Sequence, residues 1–236
     1  MNETNDKPHL EDMATQAVKF LQKKSDSEGY FLMIEGGKID QAHHNGKATR
    51  ALSETLAFDK AVEEVLNLVN LTDTLVIVTA DHSHTMSIGG YNGREVDITG
   101  VVMGPDGSVD MGEDNKTFTV LSYGNGPGFS QFNATGEGDF TFIDRHPMAV
   151  GESADLAYKQ ASAAPLSSET HGGDDVGIWA AGPMAHLIHG VHEQSYIAHV
   201  MSYAACIGPH KDKARCPKAD SGSQVSCAQG LNMSDW

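Results

Sequence analysis

Carboxylate and imidazole side chains are concentrated in one short stretch of the sequence, residues 35–44. Glu35, Asp40 and His44 lie there at fixed offsets, after an apolar run at residues 30–34 that predicts a buried strand. Asp40 and His44 are four positions apart, so in a helix their side chains would share one face and could bind the same ion. The stretch therefore predicts a metal-binding loop that begins where a strand ends.

A second polar group follows a second predicted strand. The β-branched run at residues 75–79 is typical of a strand buried on both faces, and Asp81 and His82 come shortly after it. Residues 47–70 carry a broad apolar stripe that predicts a helix, and the order strand, helix, strand predicts a parallel pair. Because ligands bind at the carboxyl ends of strands in open α/β sheets, both polar groups should lie on one sheet edge.

The residue types in these two groups favour zinc. Two carboxylates and two imidazoles without a thiolate suit a catalytic Zn²⁺ that keeps one coordination position open. His171, in a loop before two glycines, is a candidate for a further imidazole ligand. Glu35 is interpreted separately, because a hard carboxylate beside a zinc pair can hold Mg²⁺ through oxygen ligands and water.

Other polar residues are predicted to support these ligands or to lie apart from them. His43 and His84 are candidates for a supporting role, and Asp174 either orients His171 by accepting a hydrogen bond or is solvated. Three histidines recur every third residue near the C-terminus, a spacing that turns away from one helix face and favours surface positions over a metal site: His186, His189 and His192.

The rest of the chain predicts an α/β core interrupted by an insertion. Residues 1–85 form the core with the metal loops, beginning with a helix at residues 10–24 whose apolar positions have helical spacing. Residues 86–165 are rich in Gly, Ser, Thr and Asn and predict an insertion of short strands. Residues 166–207 continue the core with a short strand at 176–180 and a helix at 193–207, and residues 208–236 predict a loose tail.

Composition and charge limit the function classes. The net charge of −16 argues against nucleic acid and against an anionic membrane surface as partners. No apolar run is long enough to span a membrane, and the polar N-terminus lacks a signal peptide. The abrupt start of the chain suggests a fragment.

Cysteines and sequons favour an oxidising, secretory compartment. Spacing excludes a C-x-x-C motif, and a Cys206–Cys216 disulfide is favoured over zinc ligation by thiolates, which leaves Cys227 free or paired outside the chain. The chain also carries candidate glycosylation sequons that are individually weak signals, among them those at Asn70, Asn115 and Asn133.

Three motifs taken together resemble one family. They are EGGKIDQAHH at residues 35–44, TADHSH at residues 79–84 and THGGDD at residues 170–175. Their order and approximate spacing are similar to the C-terminal half of alkaline phosphatases, most nearly the secreted and membrane-anchored animal type. The resemblance covers residues 8–206 and identifies the Gly-rich insertion with the crown domain of that family.

The resemblance implies a fold, a reaction and a set of ligands. The fold is part of a doubly wound α/β sandwich with a mainly parallel sheet, usually in a homodimer. The reaction is hydrolysis of small phosphate monoesters through a phosphoserine intermediate, with two Zn²⁺ and one Mg²⁺. It further implies an extracellular or cell-surface location, with the membrane reached only through a lipid anchor. The implied ligands are Asp40, His44 and His171 for one zinc, Asp81 and His82 for the other, and Glu35 for magnesium.

The sequence also departs from the family pattern. No segment matches the half that carries the nucleophilic serine, a bridging aspartate and the phosphate-clamping arginine, so we expect this chain alone to be inactive. Gln41 stands where vertebrate members often have histidine. Alternative interpretations are a related zinc phosphodiesterase, sulfatase or mutase, or a non-catalytic metal-binding fragment.

Overall fold

The computed structural model describes residues 7–25, 29–134, 143–145, 150–211, 213, 214 and 216, with the backbone alone at 130–134 and 143–145. In these ranges there are four α-helices: α1 (Leu10–Lys24), α2 (Lys38–His44), α3 (Ala48–Leu68) and α4 (Ser195–Ala204). Short 3₁₀ turns lie at Pro127–Gln131, Glu152–Ala154, Ala185–Leu187 and Gly208–His210. The predicted helices at residues 10–24, 47–70 and 193–207 are therefore present, with ends shifted by a few residues for the second and third.

The strands of the described residues are short and form small sheets. They are β1 (Val76–Thr79), β2 (Ser83–His84), β3 (Met86–Ile88), β4 (Leu121–Gly126), β5 (Phe132–Ala134), β6 (Ile143–Arg145), β7 (Ser162–Pro165), β8 (His171–Gly172) and β9 (Ile178–Ala181). The pairs β1–β9, β2–β8, β3–β4 and β5–β6 are antiparallel, and β4–β7 is parallel. The protein is thus a mixed α/β protein, as predicted at the level of class.

The structure does not contain the parallel pair of strands that was predicted on either side of α3. Residues 30–34 have no strand assignment, and β1 pairs with β9 in antiparallel register, with Val78 opposite Trp179. Phe31 and Met33 are exposed while the residues between and beside them are half-buried. This alternation of exposed and half-buried residues is typical of a strand. A strand, however, is defined by backbone hydrogen bonds to a neighbouring strand, and the periodicity of a sequence does not show whether such a neighbour is present. The mainly parallel sheet is likewise not confirmed.

The chain divides into two compact units. The first combines Met1–Ile34, Phe58–Asp81 and Val176–Trp236, and the second combines Glu35–Ala57 and His82–Asp175. In the first unit, α1 buries Ala14 and Val18. Met13 and Phe20, two of the apolar residues whose spacing predicts the helix, are exposed. Lys60 binds Glu11 in this unit, and that ion pair lowers the pKa of Glu11.

The core of the second unit lies where α3 meets the three-stranded sheet. Ala48, Leu121 and Tyr123 form a buried cluster, against which Leu52 and Met86 pack. The fully buried side chain of Gln160 caps the start of α3: its Oε1 accepts a hydrogen bond from the Ala48 N–H at 2.8 Å. This bond satisfies one of the N–H groups that a helix leaves unpaired at its first turn. Glu35–Ala57 and His82–Asp175 therefore belong to the same compact unit.

Two further features concern the first unit and the chain ends. Cys206 and Cys216 are joined by a disulfide, with Cα atoms 5.7 Å apart. Cys227 lies outside the described residues. Among the helices that the structure describes, none combines the length and the apolar character needed to cross a bilayer.

Candidate metal centre

The helix α2 positions the first two candidate ligands. Asp40 and His44 are one turn apart on α2, and the Nε2 atom of His44 lies 3.2 Å from Oδ1 of Asp40. The helix ends at His44 with Asn45 as its C-cap, and the chain turns at Gly46, whose φ of +69° is in the left-handed region that favours glycine. The one-face geometry predicted from the i, i+4 spacing is confirmed.

The pairing of β2 with β8 positions the other imidazoles. In this antiparallel pair His84 is directly opposite His171, so the two side chains lie on the same face. His82 stacks on His171 with ring centroids 3.4 Å apart, and His84 stacks on His43 at 4.5 Å. Ser83 is directed elsewhere: its Oγ donates to Oδ2 of Asp174 at 3.3 Å and accepts from the Asp174 N–H at 3.2 Å.

A single carboxylate oxygen lies at the centre of these rings. Oδ1 of Asp40 is approached by four imidazole Nε2 atoms, at 3.1 Å from His84, 3.2 Å from His44, 3.4 Å from His171 and 3.9 Å from His82. The Nε2 atoms of His44 and His171 are themselves 3.1 Å apart. Such a convergence of nitrogen and oxygen ligand atoms on one point is the arrangement that a bound divalent cation requires.

Two atoms of this cluster have unfilled hydrogen-bonding capacity. Oδ1 of Asp40 and Nε2 of His84 are both buried and have no hydrogen-bond partner among the described residues, although they are 3.1 Å apart. A buried polar atom without a partner costs free energy, and a cation bound between the ligands would remove that cost. In the described part of the chain, three overlapping groups have ligand atoms within 4.8 Å of one another: Asp40–His44–His171, Asp40–His82–His84 and His44–His84–Glu169. The residues therefore fit a metal ion.

Glu169 contacts the cluster through His84, and the sequence analysis did not predict this residue as part of the site. Its side chain is fully buried; Oε2 accepts a hydrogen bond from Nδ1 of His84 at 2.7 Å, and Oε1 accepts from both the N–H and the Oγ of Thr85 at 2.7 Å. One sequence feature could have indicated it: Glu169 lies two residues before His171, in the same predicted loop. Acidic residues that hydrogen-bond to histidines are common around metal centres.

His43 and Tyr123 form a second supporting layer. Nδ1 of His43 is 2.9 Å from the hydroxyl of Tyr123, and both side chains are buried. Burial, together with the nearby His84, lowers the pKa of His43 to about 4. Burial also raises the pKa of Tyr123, and the charge of Glu169 adds to that effect. His43 is therefore a neutral ring on which His84 packs.

The low pKa of His43 predicts an acid-dependent loss of stability. Its pKa of about 4 in the folded chain lies below the unfolded value of 6.5, so between these pH values the unfolded state binds a proton that the folded state does not. The free energy of unfolding of the metal-free chain should therefore fall as pH drops from about 6.5 to about 4. Urea unfolding at pH 4.5 and 7.5 should show a smaller fall in His43→Gln than in the unsubstituted chain.

The matched control for this prediction is His9→Gln, which replaces an exposed histidine next to α1. That variant should keep the full pH dependence. An equal pH dependence in His43→Gln and the unsubstituted chain would show that His43 is not the source.

The remaining predicted residues lie in several places. Glu35 belongs to the second unit but to none of the three groups that can hold a metal among the described residues, and Asp81 belongs to the first unit. Gln41 is exposed and accepts a hydrogen bond from Nζ of Lys38 at 2.9 Å. His192 donates to the carbonyl of His189 at 2.7 Å and stacks on Tyr196. The assignments of Glu35 and Asp81 to metals stay predictions.

Fold and site together define a class: a mixed α/β protein with a carboxylate–imidazole cluster able to bind a divalent metal. Comparison with known proteins is more specific. A sequence model of the family described as alkaline phosphatase matches residues 1–207. The chain belongs to the alkaline phosphatase family.

Individual relatives agree with this assignment. The chain is 44% identical over 225 residues to the tissue-nonspecific isozyme of alkaline phosphatase from Felis catus, covering 95% of this chain and 39% of that protein. It is 42% identical over 219 residues to the same isozyme from Homo sapiens, covering 93% and 38%. It is 43% identical over 204 residues to an alkaline phosphatase from Gadus morhua, covering 86% and 39%. The chain thus spans about two-fifths of the length of these relatives.

Proposed function

We propose that this chain is the metal-binding C-terminal portion of a phosphate monoester hydrolase that acts through a phosphoserine intermediate. The observation that carries the proposal is the convergence of four imidazoles on Oδ1 of Asp40, in a chain that belongs to the alkaline phosphatase family. The names of the relatives support a monoesterase over the phosphodiesterase, sulfatase and mutase alternatives.

The proposed ligands follow the motif resemblance. Asp40, His44 and His171 would hold one zinc, and their ligand atoms are already within 4.8 Å of one another. We further assign His82 with Asp81 to a second zinc, and Glu35 to magnesium, on the resemblance alone. When bound, zinc lowers the pKa of a coordinated oxygen nucleophile and stabilises negative charge on a phosphoryl group.

The chain's own residues orient the proposed ligands. Nδ1 of His44 is 2.6 Å from the main-chain carbonyl of Glu169, so it carries the proton and Nε2 presents its lone pair to the cluster. Ser83 and Asp174 are hydrogen-bonded to each other, which supports a positioning role for Asp174 over a solvated one. We propose that the nucleophilic serine and the phosphate-binding arginine belong to a segment that precedes this chain in the whole protein.

The same proposal accounts for the unpaired residues 30–34. Phe31 and Met33 expose about three-quarters of their surface, at 72% and 76%, in a segment that has no strand partner among the described residues. We propose that the rest of the protein supplies neighbouring strands and completes a doubly wound sandwich, with residues 86–165 as its crown-like insertion. Residues 1–85 and 166–207 would then belong to the α/β core of the sandwich, and residues 208–236 would form a loose C-terminal tail.

Several properties of the whole protein belong to the same proposal. They are a homodimer, an extracellular or cell-surface location and, where present, a lipid anchor. Asn70 and Asn115 are exposed and are the proposed glycosylation sites within the described side chains; the side chain of Asn133 lies outside them. Oδ1 of Asn70 accepts hydrogen bonds from both the N–H and the Oγ of Thr72, which holds the sequon in a tight surface turn.

The proposed function predicts a sharp contrast between this chain and the whole protein. The whole protein should hydrolyse p-nitrophenyl phosphate, lose the activity in EDTA and regain it with Zn²⁺ and Mg²⁺, while the 236-residue chain alone should show no turnover above a metal-only control. The measurement is the initial rate of p-nitrophenolate release for both proteins at equal concentration.

Two controls separate the alternatives. Bis-p-nitrophenyl phosphate and p-nitrophenyl sulfate test the diesterase and sulfatase interpretations in the same assay. Turnover by the chain alone, or faster hydrolysis of either control substrate by the whole protein, would contradict the proposal. A whole protein that binds zinc but hydrolyses none of the substrates would favour the binding-only interpretation.

A further inference from the structure

We propose that Asn125 is a positioning residue for the proposed zinc ligand His171, and that it acts through Thr170 without contacting the metal. Asn125 lies in β4, and Thr170 immediately precedes His171 in the chain. The role rests on the proposed zinc site of which His171 is part. Neither the motif resemblance nor the spacing of the ligands points to Asn125.

Two hydrogen bonds of opposite direction join Asn125 to Thr170. Oδ1 of Asn125 accepts from the main-chain N–H of Thr170 at 2.9 Å, and Nδ2 of Asn125 donates to Oγ of Thr170, also at 2.9 Å. Because both ends of one planar amide are used, the main chain and the side chain of Thr170 are fixed together. The residue before His171 is therefore bound to a strand that lies 45 positions earlier in the chain.

The strand that carries Asn125 is itself well fixed. β4 is the central strand of the three-stranded sheet, and Asn125 is opposite Ala164 in its parallel pairing with β7. The carbonyl of the next residue, Gly126, accepts hydrogen bonds from Oγ of Ser162 at 2.8 Å and from the N–H of Leu166 at 3.3 Å. A side chain on such a strand can hold a neighbouring loop in one place.

His171 is the most exposed of the three proposed ligands of this zinc. Its side chain is 50% exposed, against 38% for Asp40 and 32% for His44. It lies on the two-residue strand β8, with its Nε2 atom 3.4 Å from Oδ1 of Asp40. An exposed side chain on so short a strand is restrained little by packing. The position of its ligand atom therefore depends on the main chain that Asn125 and Thr170 fix.

The variants Asn125→Ala and Asn125→Asp should have opposite effects. Alanine removes both hydrogen bonds to Thr170. Aspartate keeps both, because one carboxylate oxygen accepts from the N–H of Thr170 and the other accepts from its hydroxyl, which can rotate to donate. Asn125→Asp is therefore the conservative variant, and it should retain what Asn125→Ala loses.

Two measurements on the folded 236-residue chain test the role. In the metal-free chain, nuclear Overhauser contacts between the rings of His171 and His82, whose centroids are 3.4 Å apart, report the position of His171. We expect these contacts in the unsubstituted chain and in Asn125→Asp, and their loss in Asn125→Ala. Zn²⁺ titration should show an affinity about 10-fold weaker in Asn125→Ala and no weaker in Asn125→Asp. A purely structural role would lower the free energy of unfolding and leave both measurements unchanged.

Asn92→Ala is the matched control. Asn92 is half-buried in the second unit, as Asn125 is, and its Oδ1 also accepts a hydrogen bond from a main-chain N–H, that of Met103 at 2.8 Å. This variant should leave the ring contacts of His171 and the zinc affinity unchanged.

Retained ring contacts with unchanged zinc affinity in Asn125→Ala would overturn the proposal, and so would equal losses in Asn125→Asp and Asn125→Ala. Should Asn125→Ala not fold, Thr170→Val takes its place, because it removes one of the two hydrogen bonds from an exposed residue. We expect zinc affinity to fall about threefold in Thr170→Val, and an unchanged affinity with unchanged ring contacts would overturn the proposal equally. A chain that binds no zinc would contradict the proposed function, while the ring contacts would still decide whether Asn125 positions His171.

Discussion

Replacing Asp40 with asparagine should lower the affinity of the chain for Zn²⁺ by about 100-fold or more, because it removes the one negative charge on which the imidazoles converge. Four Nε2 atoms lie 3.1 to 3.9 Å from Oδ1 of Asp40, and the proposed zinc held by Asp40, His44 and His171 would lose its only anionic ligand. The asparagine has nearly the same shape, which isolates charge from packing. Competition of the folded chain against a zinc-binding dye measures the effect.

Asp59→Asn provides the control for Asp40→Asn. Asp59 is exposed on α3 in the first unit, and its replacement makes the same change in charge. It should leave zinc affinity within about twofold, as expected for a surface change that contacts no ligand. Equal zinc affinity in Asp40→Asn and the unsubstituted chain would mean that the carboxylate is not a ligand and that the cluster binds no zinc through it.

Replacing Gly128 with alanine should destabilise the second unit by about 3 kcal/mol, at the upper end of overpacking effects. A Cβ at this position would overlap the main-chain oxygen of Gln160, and backbone atoms cannot move aside as a flexible side chain can. Displacing Gln160 would also weaken the hydrogen bond that its side chain accepts from the Ala48 N–H at the start of α3. Urea unfolding followed by circular dichroism measures the free energy of unfolding.

The control for the glycine prediction is Gly93→Ala. Nothing lies within 4 Å of a Cβ at Gly93, and its φ is outside the left-handed region, so stability should change by less than about 0.5 kcal/mol. If Gly128→Ala were as stable as Gly93→Ala, the close approach of Gly128 to Gln160 would not be a feature of the folded chain.

Local elements were predictable because their signals are local. The apolar spacing of residues 10–24 predicted α1 at its observed bounds, and the β-branched run at 75–79 predicted β1 within one residue. The i, i+4 spacing of Asp40 and His44 predicted their shared face on α2. Each of these inferences needs only the period of one helix or strand.

Pairing and burial were not predictable in the same way. The partner of β1 is β9, about 100 residues later, and the segment at 30–34 that was expected beside β1 is not assigned to a strand in the described part of the chain. On α1 the buried residues are Ala14 and Val18, not the larger Met13 and Phe20. Which face of an element is covered depends on what packs against it, and hydrophobicity alone does not determine that.

The site shows the same division. Residue types and motif order sufficed to choose Asp40, His44, His82 and His171 as candidates and to name zinc as the ion that such ligands favour. They could not indicate that His84 would approach Asp40 as closely as His44 does, or that Glu169 would bind both His84 and the end of α2. His84 and Glu169 are 85 positions apart, and no sequence period connects them.

By itself the sequence determined which metal-ligand atoms the chain carries: carboxylates and imidazoles without thiolates, placed by a short helix and by loops next to strands. Only the tertiary structure decided that four rings would converge on one oxygen of Asp40 and that the buried carboxylate of Glu169 would contact one of them, His84. The physical reason is that donor atoms, helix periods and turn residues are properties of short segments. Distances of about 3 Å between distant side chains, by contrast, arise only when strand pairing and core packing bring those segments together.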